Sequence, residues 1–496
     1  MDRDDAAQVE TVSTSPLFDA TWYSDRYPDV GILGMDPARH YVRYGSIIGR
    51  DSGPDLPTAF ARRAFGIRPP QDPISWMAAQ ADATTGHAQY NPKSVLIAAS
   101  EVAKRGDHDK AIGLAETYLP DELAHTVDIL HSNAALDRSD VDGWVNGVNG
   151  YLAHFNIAPL RLQGFGTHFN QLSCDALPAV TGGPLISVIM PAWNAERTIR
   201  KATASILDQT WQNLELLIVD DCSSDGTWSA LQDIAARDSR VKIMRNVVNT
   251  GPYVAKNIAL TQASGEWVTG HDADDWAHPQ RITNHIALAK AQDCDASLTY
   301  MLRMLENGKT EYLSDIGGFS TDGVCRVSSI STLFRGKFIR NKLGFWDTVR
   351  FGADSEMISR ARVLLGDGFR NFETIGMICL DTPNTLTNNV MTGIRTATGL
   401  SPVRKAYKDS WAKLHLKMPA RDCYLPFLQK HRRYESPAEM VVPNDRIIQA
   451  QPDIASHLTE KSSLHIPRIA RHDNYTVPDP TQSITTKKEK LIFSIK

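Results

Sequence analysis

Residues 185–227 read LISVIMPAWNAERTIRKATASILDQTWQNLELLIVDDCSSDGT, and residues 264–282 read SGEWVTGHDADDWAHPQRI. In the first stretch, Leu185–Met190 and Leu214–Val219 are short, continuously apolar runs, as buried parallel strands require. Between them Ile199, Ala202, Ile206 and Leu207 share one face of a predicted helix. The alternation continues with a helix over Trp228–Ala236, a strand over Val241–Met244 and a helix over Tyr253–Ala263, stopped by Gly265 at a C′ position. A fourth strand follows over Glu266–Thr269. This βαβαβαβ order predicts a parallel sheet with right-handed crossovers and helices on both faces.

Three of these strands run directly into unusual segments: Pro191-Ala192-Trp193-Asn194, the Asp220–Thr227 turn, and His271-Asp272-Ala273-Asp274-Asp275. Open parallel sheets bind ligands beyond the carboxyl ends of their strands, so all three segments are expected on one edge. The third is the most informative. Asp272, Asp274 and Asp275 place three carboxylates within four residues, where like charges repel unless a cation sits among them. A hard divalent ion, Mg²⁺ or Mn²⁺, bound by carboxylates, phosphates and water relieves that repulsion and acts as a Lewis acid toward a departing diphosphate. The competing reading is an acidic turn capping a helix that begins near Pro279.

The second segment offers Asp220 or Asp221 as acceptor for the N3–H of a uracil-like base, while Ser223, Ser224 and Asp225 read as turn and cap residues. At the first strand end, Pro191 and Ala192 can present a backbone edge and Trp193 an aromatic face, with core packing as Trp193's alternative. Gly251 and Lys256, at the start of the third helix, suit phosphate, although a surface lysine is the cheaper explanation.

The strings SVIMPAWNAERTI, LLIVDDCSSDGT, NTGPYVAKNIAL and GEWVTGHDADDWAHPQRI together resemble family 2 glycosyltransferases of the GT-A fold. They match that family's first strand, its DDxSxDGT turn, its NxGxxxAxN helix start and its D-x-D segment. The resemblance implies an α/β, Rossmann-like nucleotide-diphospho-sugar transferase domain over 183–395. It implies that Asp221 contacts the base, that Asp274 binds metal and that Asp272 touches ribose or metal. Ala273 and Asn194 fall inside the matched donor-binding segments. The implied donor is a nucleoside-diphosphate sugar, most often uridine-linked, and the acceptor a glycan or lipid-linked glycan of bacterial surface-polysaccharide synthesis. Further on, Phe351-Gly352-Ala353-Asp354-Ser355-Glu356 resembles the family's G-E-D segment, with Ala353 where Glu is common. A sugar hydroxyl is a poor nucleophile until its proton has somewhere to go, and Asp354 is the implied general base of an inverting displacement, with Glu356 as its rival. Without the family, both are helix N-terminal acids favoured by the macrodipole.

The helix opened by Ser401 and Pro402 lines up Arg404, Tyr407, Lys408, Trp411 and His415. Arg404 or Lys408 can meet the diphosphate and His415 can complete the metal shell; the alternative is an amphipathic helix closing the sheet. The polar stretch before it reads as a lid. Elsewhere, residues 1–15 are expected to be a disordered tail and 16–70 a small aromatic-rich helical module. Residues 71–180 read as a helical region and 396–496 as a C-terminal helical extension. The module, with Phe18, Trp22, Tyr23, Tyr27, Pro28, Asp29, His40 and Tyr41, resembles one found beside bacterial surface-glycan transferases.

Lys and Arg (53) nearly balance Asp and Glu (57), for a net charge of −4, so no global field points to nucleic acid. The six cysteines form no CxxC pair, which argues against a zinc site and suits a reducing compartment. An acidic N-terminus without an apolar core segment and the lack of an 18-residue apolar run point to a cytoplasmic chain. Attachment to the inner membrane face and homo-oligomerisation stay open. Two rival readings are a degenerate, binding-only scaffold and a nucleotidyltransferase; the latter would want a Gly-rich basic loop after the first strand, where PAWNAERT stands.

Overall fold

The computed structural model describes residues 3–15, 18–27, 30, 35–42, 50–53, 92–310, 320–382 and 401–451. The sequence readings at Pro28, Asp29, the lid before Ser401, and the chain beyond 451 lie outside these residues. A nine-stranded mixed sheet organises the molecule. Its strands in chain order are β1 (Ile186–Ala192), β2 (Leu214–Asp220), β3 (Val241–Arg245), β4 (Trp267–Gly270) and β5 (Trp276–Ala277), then β6 (Ala296–Met304), β7 (Arg326–Val327), β8 (Leu333–Arg335) and β9 (Phe369–Leu380). Their spatial order is β3-β2-β1-β4-β8-β6-β9-β5, with β7 on β6. The β3-β2-β1-β4 half is wholly parallel, as the alternation predicts. Beyond it, β8 runs antiparallel to both β4 and β6, while β9 runs parallel to β6.

Strand alternation assigns the two faces. Ile186, Val188 and Met190 of β1 and Leu216 and Ile218 of β2 pack on α5 (Ile199–Leu207), α6 (Thr227–Arg237) and α8 (Arg281–Ala291). Ile189, Leu217 and Val219 point the other way, onto α7 (Pro252–Gln262), α9 (Ala353–Leu365) and α10 (Pro402–His415). Gly265 is not a helix-ending C′ glycine. It packs against β1, where an added Cβ would come within 2.6 Å of the Ser187 backbone nitrogen.

Helices α1 (Pro92–Lys104), α2 (His108–Tyr118), α3 (Val127–Asp137) and α4 (Val141–His154) form the helical region. Its core is continuous with the outer half of the sheet. Leu130, Trp144 and Tyr151 share one cluster with Tyr300, Leu302 and Met304 of β6 and with Ile375, Ile378 and Leu380 of β9. The N-terminal residues depart from the expected disorder: Arg3–Ser13 is helical, because Val9 and Val12 recur one turn apart and pack on Phe18, Tyr23 and Tyr41. No helix among the described residues is long and apolar enough to cross a membrane.

Candidate active site

The carboxyl ends of β1, β2 and β4 carry their loops to one edge. Pro191 and Ala192 belong to β1 itself, paired with Val219 and Asp220, and both are buried. The Ala192 carbonyl accepts the Asp221 N–H at 2.8 Å, and pairing with β4 ends at Ile189, so Pro191 and Ala192 have a strand partner on the β2 side alone. Trp193 is the first residue past the strand and is 58% exposed, which excludes the core-packing alternative. Asn194 (φ 48°) ties two loops together: its side-chain oxygen accepts the Ser224 N–H at 2.9 Å, and its own N–H donates to Ser223 Oγ. Asp225 and Thr227 also bond to this loop, through Glu196 and Ala195.

The two aspartates after β2 take separate positions. Asp220 is fully buried and pairs with Arg245 at 3.0 Å. Asp221 accepts from Asn246 Nδ2, Thr250 N, Thr250 Oγ1 and Gly251 N, the last at 2.6 Å. Four protein donors use most of one carboxylate's acceptor capacity, so a base contact by Asp221 has to share it. Gly251 begins α7 with φ +85°, where a Cβ would be strained, and this turn aims its N–H at Asp221.

The acidic turn does not cap a helix. It enters β5 directly, and α8 starts only at Arg281, after a Gln280 whose side chain makes no capping bond. Carboxylate oxygens of Asp272, Asp274 and Asp275 lie within 4.8 Å of one another. Burial and the Asp272 charge push Asp274 up to about 6. Burial and both neighbours push Asp275 well above the usual carboxylate range. Burial also raises Asp272, with the Asp354 charge adding to the shift and Lys256 opposing it. Unbalanced charge on an all-oxygen donor set is what a hard divalent cation would relieve, so these residues fit the expected metal. Asp275 is anchored by the Leu380 N–H at 3.0 Å, which ties the turn to the end of β9. Ala273, between the acids, is buried in the α5–α8 core.

Lys256 is not a surface lysine. It is 3% exposed, bonds Asp354 Oδ1 at 3.1 Å, and interacts electrostatically with Asp272. Two groups that sequence reasoning missed complete the setting of Asp354: Trp346 Nε1 donates to Oδ1 at 3.0 Å and Tyr253 OH to Oδ2 at 3.0 Å. Tyr253 stands three residues before Lys256, a helical spacing that could have marked it; Trp346 reaches in from a loop eight positions before Asp354 and gave no such signal. Gly352 (φ +90°) turns the chain into α9 and delivers Asp354 at its first turn. The Asp354 side chain keeps 15% exposure. Arg404 lies over Phe351 at 5.2 Å and interacts with Asp354 and Tyr253, whereas Lys408 is exposed.

Two expected site residues sit elsewhere. Glu356 is fully buried and bonds Arg360 Nε at 2.5 Å and Tyr434 OH at 2.6 Å, so it has no path to an acceptor. His415 uses Nδ1 on Ser359 Oγ at 2.8 Å and Nε2 on Tyr434 OH at 3.1 Å, leaving no lone pair for a metal. It turns inward because its helix face, with Tyr407 and Trp411, packs on α9.

Residues 187–350 match the family model described as Glycosyl transferase family 2. An uncharacterised glycosyltransferase of Haemophilus influenzae is 32% identical over 27% of this chain and 58% of its own length. The putative teichuronic acid biosynthesis glycosyltransferase TuaG of Bacillus subtilis is 36% identical over 25% of this chain and 50% of its own. The Escherichia coli glucosyltransferase WfgD, named for transfer from UDP-Glc to GlcNAc-diphosphoundecaprenol, is 44% identical over 18% and 35%. The chain thus spans between a third and three-fifths of these relatives' lengths. Among solved structures, Staphylococcus aureus TarS 1–349 is 20% identical, covering 39% of this chain and 60% of its own at a TM-score of 0.33. The matched stretch holds the parallel half of the sheet and the whole acidic turn, and the chain carries a family 2 glycosyltransferase domain there, with relatives named for bacterial polysaccharide synthesis.

Proposed function

We propose that this chain transfers a sugar from a nucleoside diphosphate, a uridine-linked donor by preference, to a hydroxyl of a glycan or lipid-linked glycan, with inversion and with a divalent cation. The observation that carries the reading is the facing of two acidic groups, Asp272–Asp275 and Asp354, across the buried ammonium of Lys256. A lysine buried among carboxylates at a strand-end edge has a cost in desolvation that packing alone does not explain.

In this reading Asp272 and Asp274 would hold Mn²⁺ or Mg²⁺, which when bound supplies Lewis-acid stabilisation to the leaving diphosphate. Exposed Trp193 offers its face to the base, and Asp221 or Asp220 accepts from it. Asp354 takes the acceptor hydroxyl proton as that oxygen bonds the anomeric carbon and the bond to the diphosphate breaks on the opposite side. Its three donors hold the carboxylate in one orientation, a preorganisation that costs no rearrangement at the moment of reaction. A lipid-linked acceptor agrees with the name of WfgD.

The test is hydrolysis and transfer of nucleotide sugars by wild type and Asp274→Asn, with and without Mn²⁺. We expect metal-dependent turnover in wild type and a loss of at least about 10²-fold in a variant that melts no lower. Full activity in Asp274→Asn, or activity indifferent to chelator, removes the metal from the reading.

A further inference from the structure

We infer that the outward face of α10 and the turn after it form a docking surface for an anionic membrane. Residues 401–434 carry nine lysines and arginines against two aspartates, within a chain of net charge −4. The inward face of α10 is fixed by Tyr407, Trp411 and His415, which are buried against the core. The opposite side of the last turn and the turn after it present Lys413, Lys417 and Arg421, all exposed. Lys413 and Lys417 have no ion-pair partner among the described residues, Arg421 meets Asp422 at 3.9 Å, and Lys405 and Asp409 pair with each other on the same face. Leu416 stands on that face, 87% exposed.

The helix macrodipole explains a basic residue in the last turn, but not Lys417 and Arg421 beyond the helix end. One exposed leucine is ordinary on a protein surface; a leucine flanked by two unpaired lysines is the pairing that anionic headgroups and the acyl boundary take together. Partner proteins of the common, mixed-charge kind do not call for such an excess of one sign, whereas a leaflet rich in acidic lipid does.

The position is consistent with use. α10 begins with Arg404 beside Asp354 and ends at this surface, and fourteen helical residues span about 21 Å. A chain lying on headgroups through this face would hold its candidate acceptor site within reach of a lipid-borne glycan. The docking does not depend on the chemistry proposed above.

The experiment is co-sedimentation of the full chain with vesicles of phosphatidylcholine alone and of phosphatidylcholine mixed with phosphatidylglycerol, at low and high salt. We expect binding to the mixed vesicles only, weakening as salt screens the lysines. Lys413→Gln, Lys417→Gln and Arg421→Gln combined should lower the partition coefficient by about a hundredfold, roughly fivefold per charge. Leu416→Ser should lower it by about tenfold with salt dependence unchanged. Asp274→Asn should bind vesicles like wild type, which separates this surface from the transferase reading. No binding to the mixed vesicles, or binding that survives the triple substitution in a folded variant, overturns the proposal.

Discussion

At the scale of single residues, the decisive arrangement is the fixing of Asp354. Its carboxylate receives an ammonium, an indole N–H and a phenol O–H from three different segments, so its orientation does not rely on its own rotamer. Trp346 provides a probe, because replacement by Phe keeps an aromatic ring in the buried site while removing the donor along with part of the indole. A hydrogen bond to a charged group contributes about 1.5–3 kcal/mol, so Trp346→Phe should lower kcat by roughly ten- to a hundredfold. Donor KM should stay within about twofold, since the indole N–H faces the base and not the nucleotide. Asp354→Asn should remove transfer while donor binding, measured by calorimetry, persists. Were Asp354→Asn to transfer at the wild-type rate, the base would have to be sought elsewhere, and Glu356, buried against Arg360, could not replace it. Lys256 shows why sequence alone was insufficient here. Its position in the helix was legible, but its burial depends on Asp354, ninety-eight residues away in the chain.

At the scale of elements, α9 does two jobs with two acids. Asp354 in its first turn faces the site, and Glu356 faces the core. Arg360, held by Glu356, donates to the Leu343 carbonyl at 2.5 Å and the Phe345 carbonyl at 2.7 Å, so the buried pair fixes the loop that carries Trp346. Burial alone would raise the Glu356 carboxyl, but Arg360, His415 and Tyr434 bring it down to about 2, from an ordinary 4.5. A carboxyl depressed in the folded state stabilises the fold above its unfolded value. That contribution is lost as pH falls from about 4.5 toward 2, and amounts to roughly 3 kcal/mol. Glu356→Gln should lose most of this pH dependence and lower neutral-pH stability by about 3–5 kcal/mol by leaving Arg360 unpaired. Chemical denaturation across pH 2–7 reads both effects, and a variant as stable as wild type at neutral pH would show the pair to be dispensable. The βα alternation through β4 was legible because each strand is one apolar run between amphipathic helices. The strands beyond it were not, since β5, β7 and β8 are only two or three residues long and derive their order from pairing with distant partners. His415 was misplaced for a related reason: a periodic face shows which residues go together, not what they meet.

At the scale of the whole molecule, the helical region is part of the sheet's core and not an appendage. Trp144 of α4 is 1% exposed and donates to the Gly308 carbonyl at 2.9 Å. A Cβ on Gly308 would come within 2.6 Å of the indole, so the turn after β6 is shaped around that ring. Asn133 exchanges two hydrogen bonds with Thr310, at 2.9 and 3.0 Å. Tyr151 OH and His125 both bond the Asp322 carboxylate, at 2.7 and 3.0 Å. These polar contacts are buried or nearly so, and each leaves an unsatisfied partner if the helices are removed. A chain beginning at residue 183 would also expose Tyr300, Leu302, Met304, Ile375, Ile378 and Leu380 together, a patch of the size that drives association. We therefore expect that truncated chain to aggregate, and calorimetry of the full chain to show residues 92–380 unfolding in one transition. Trp144→Ala should lower that whole transition by about 3–5 kcal/mol instead of releasing the helices alone. A separate low-temperature transition in Trp144→Ala, with the transferase domain melting as in wild type, would mean that the shared core contributes little coupling and that the two regions fold independently.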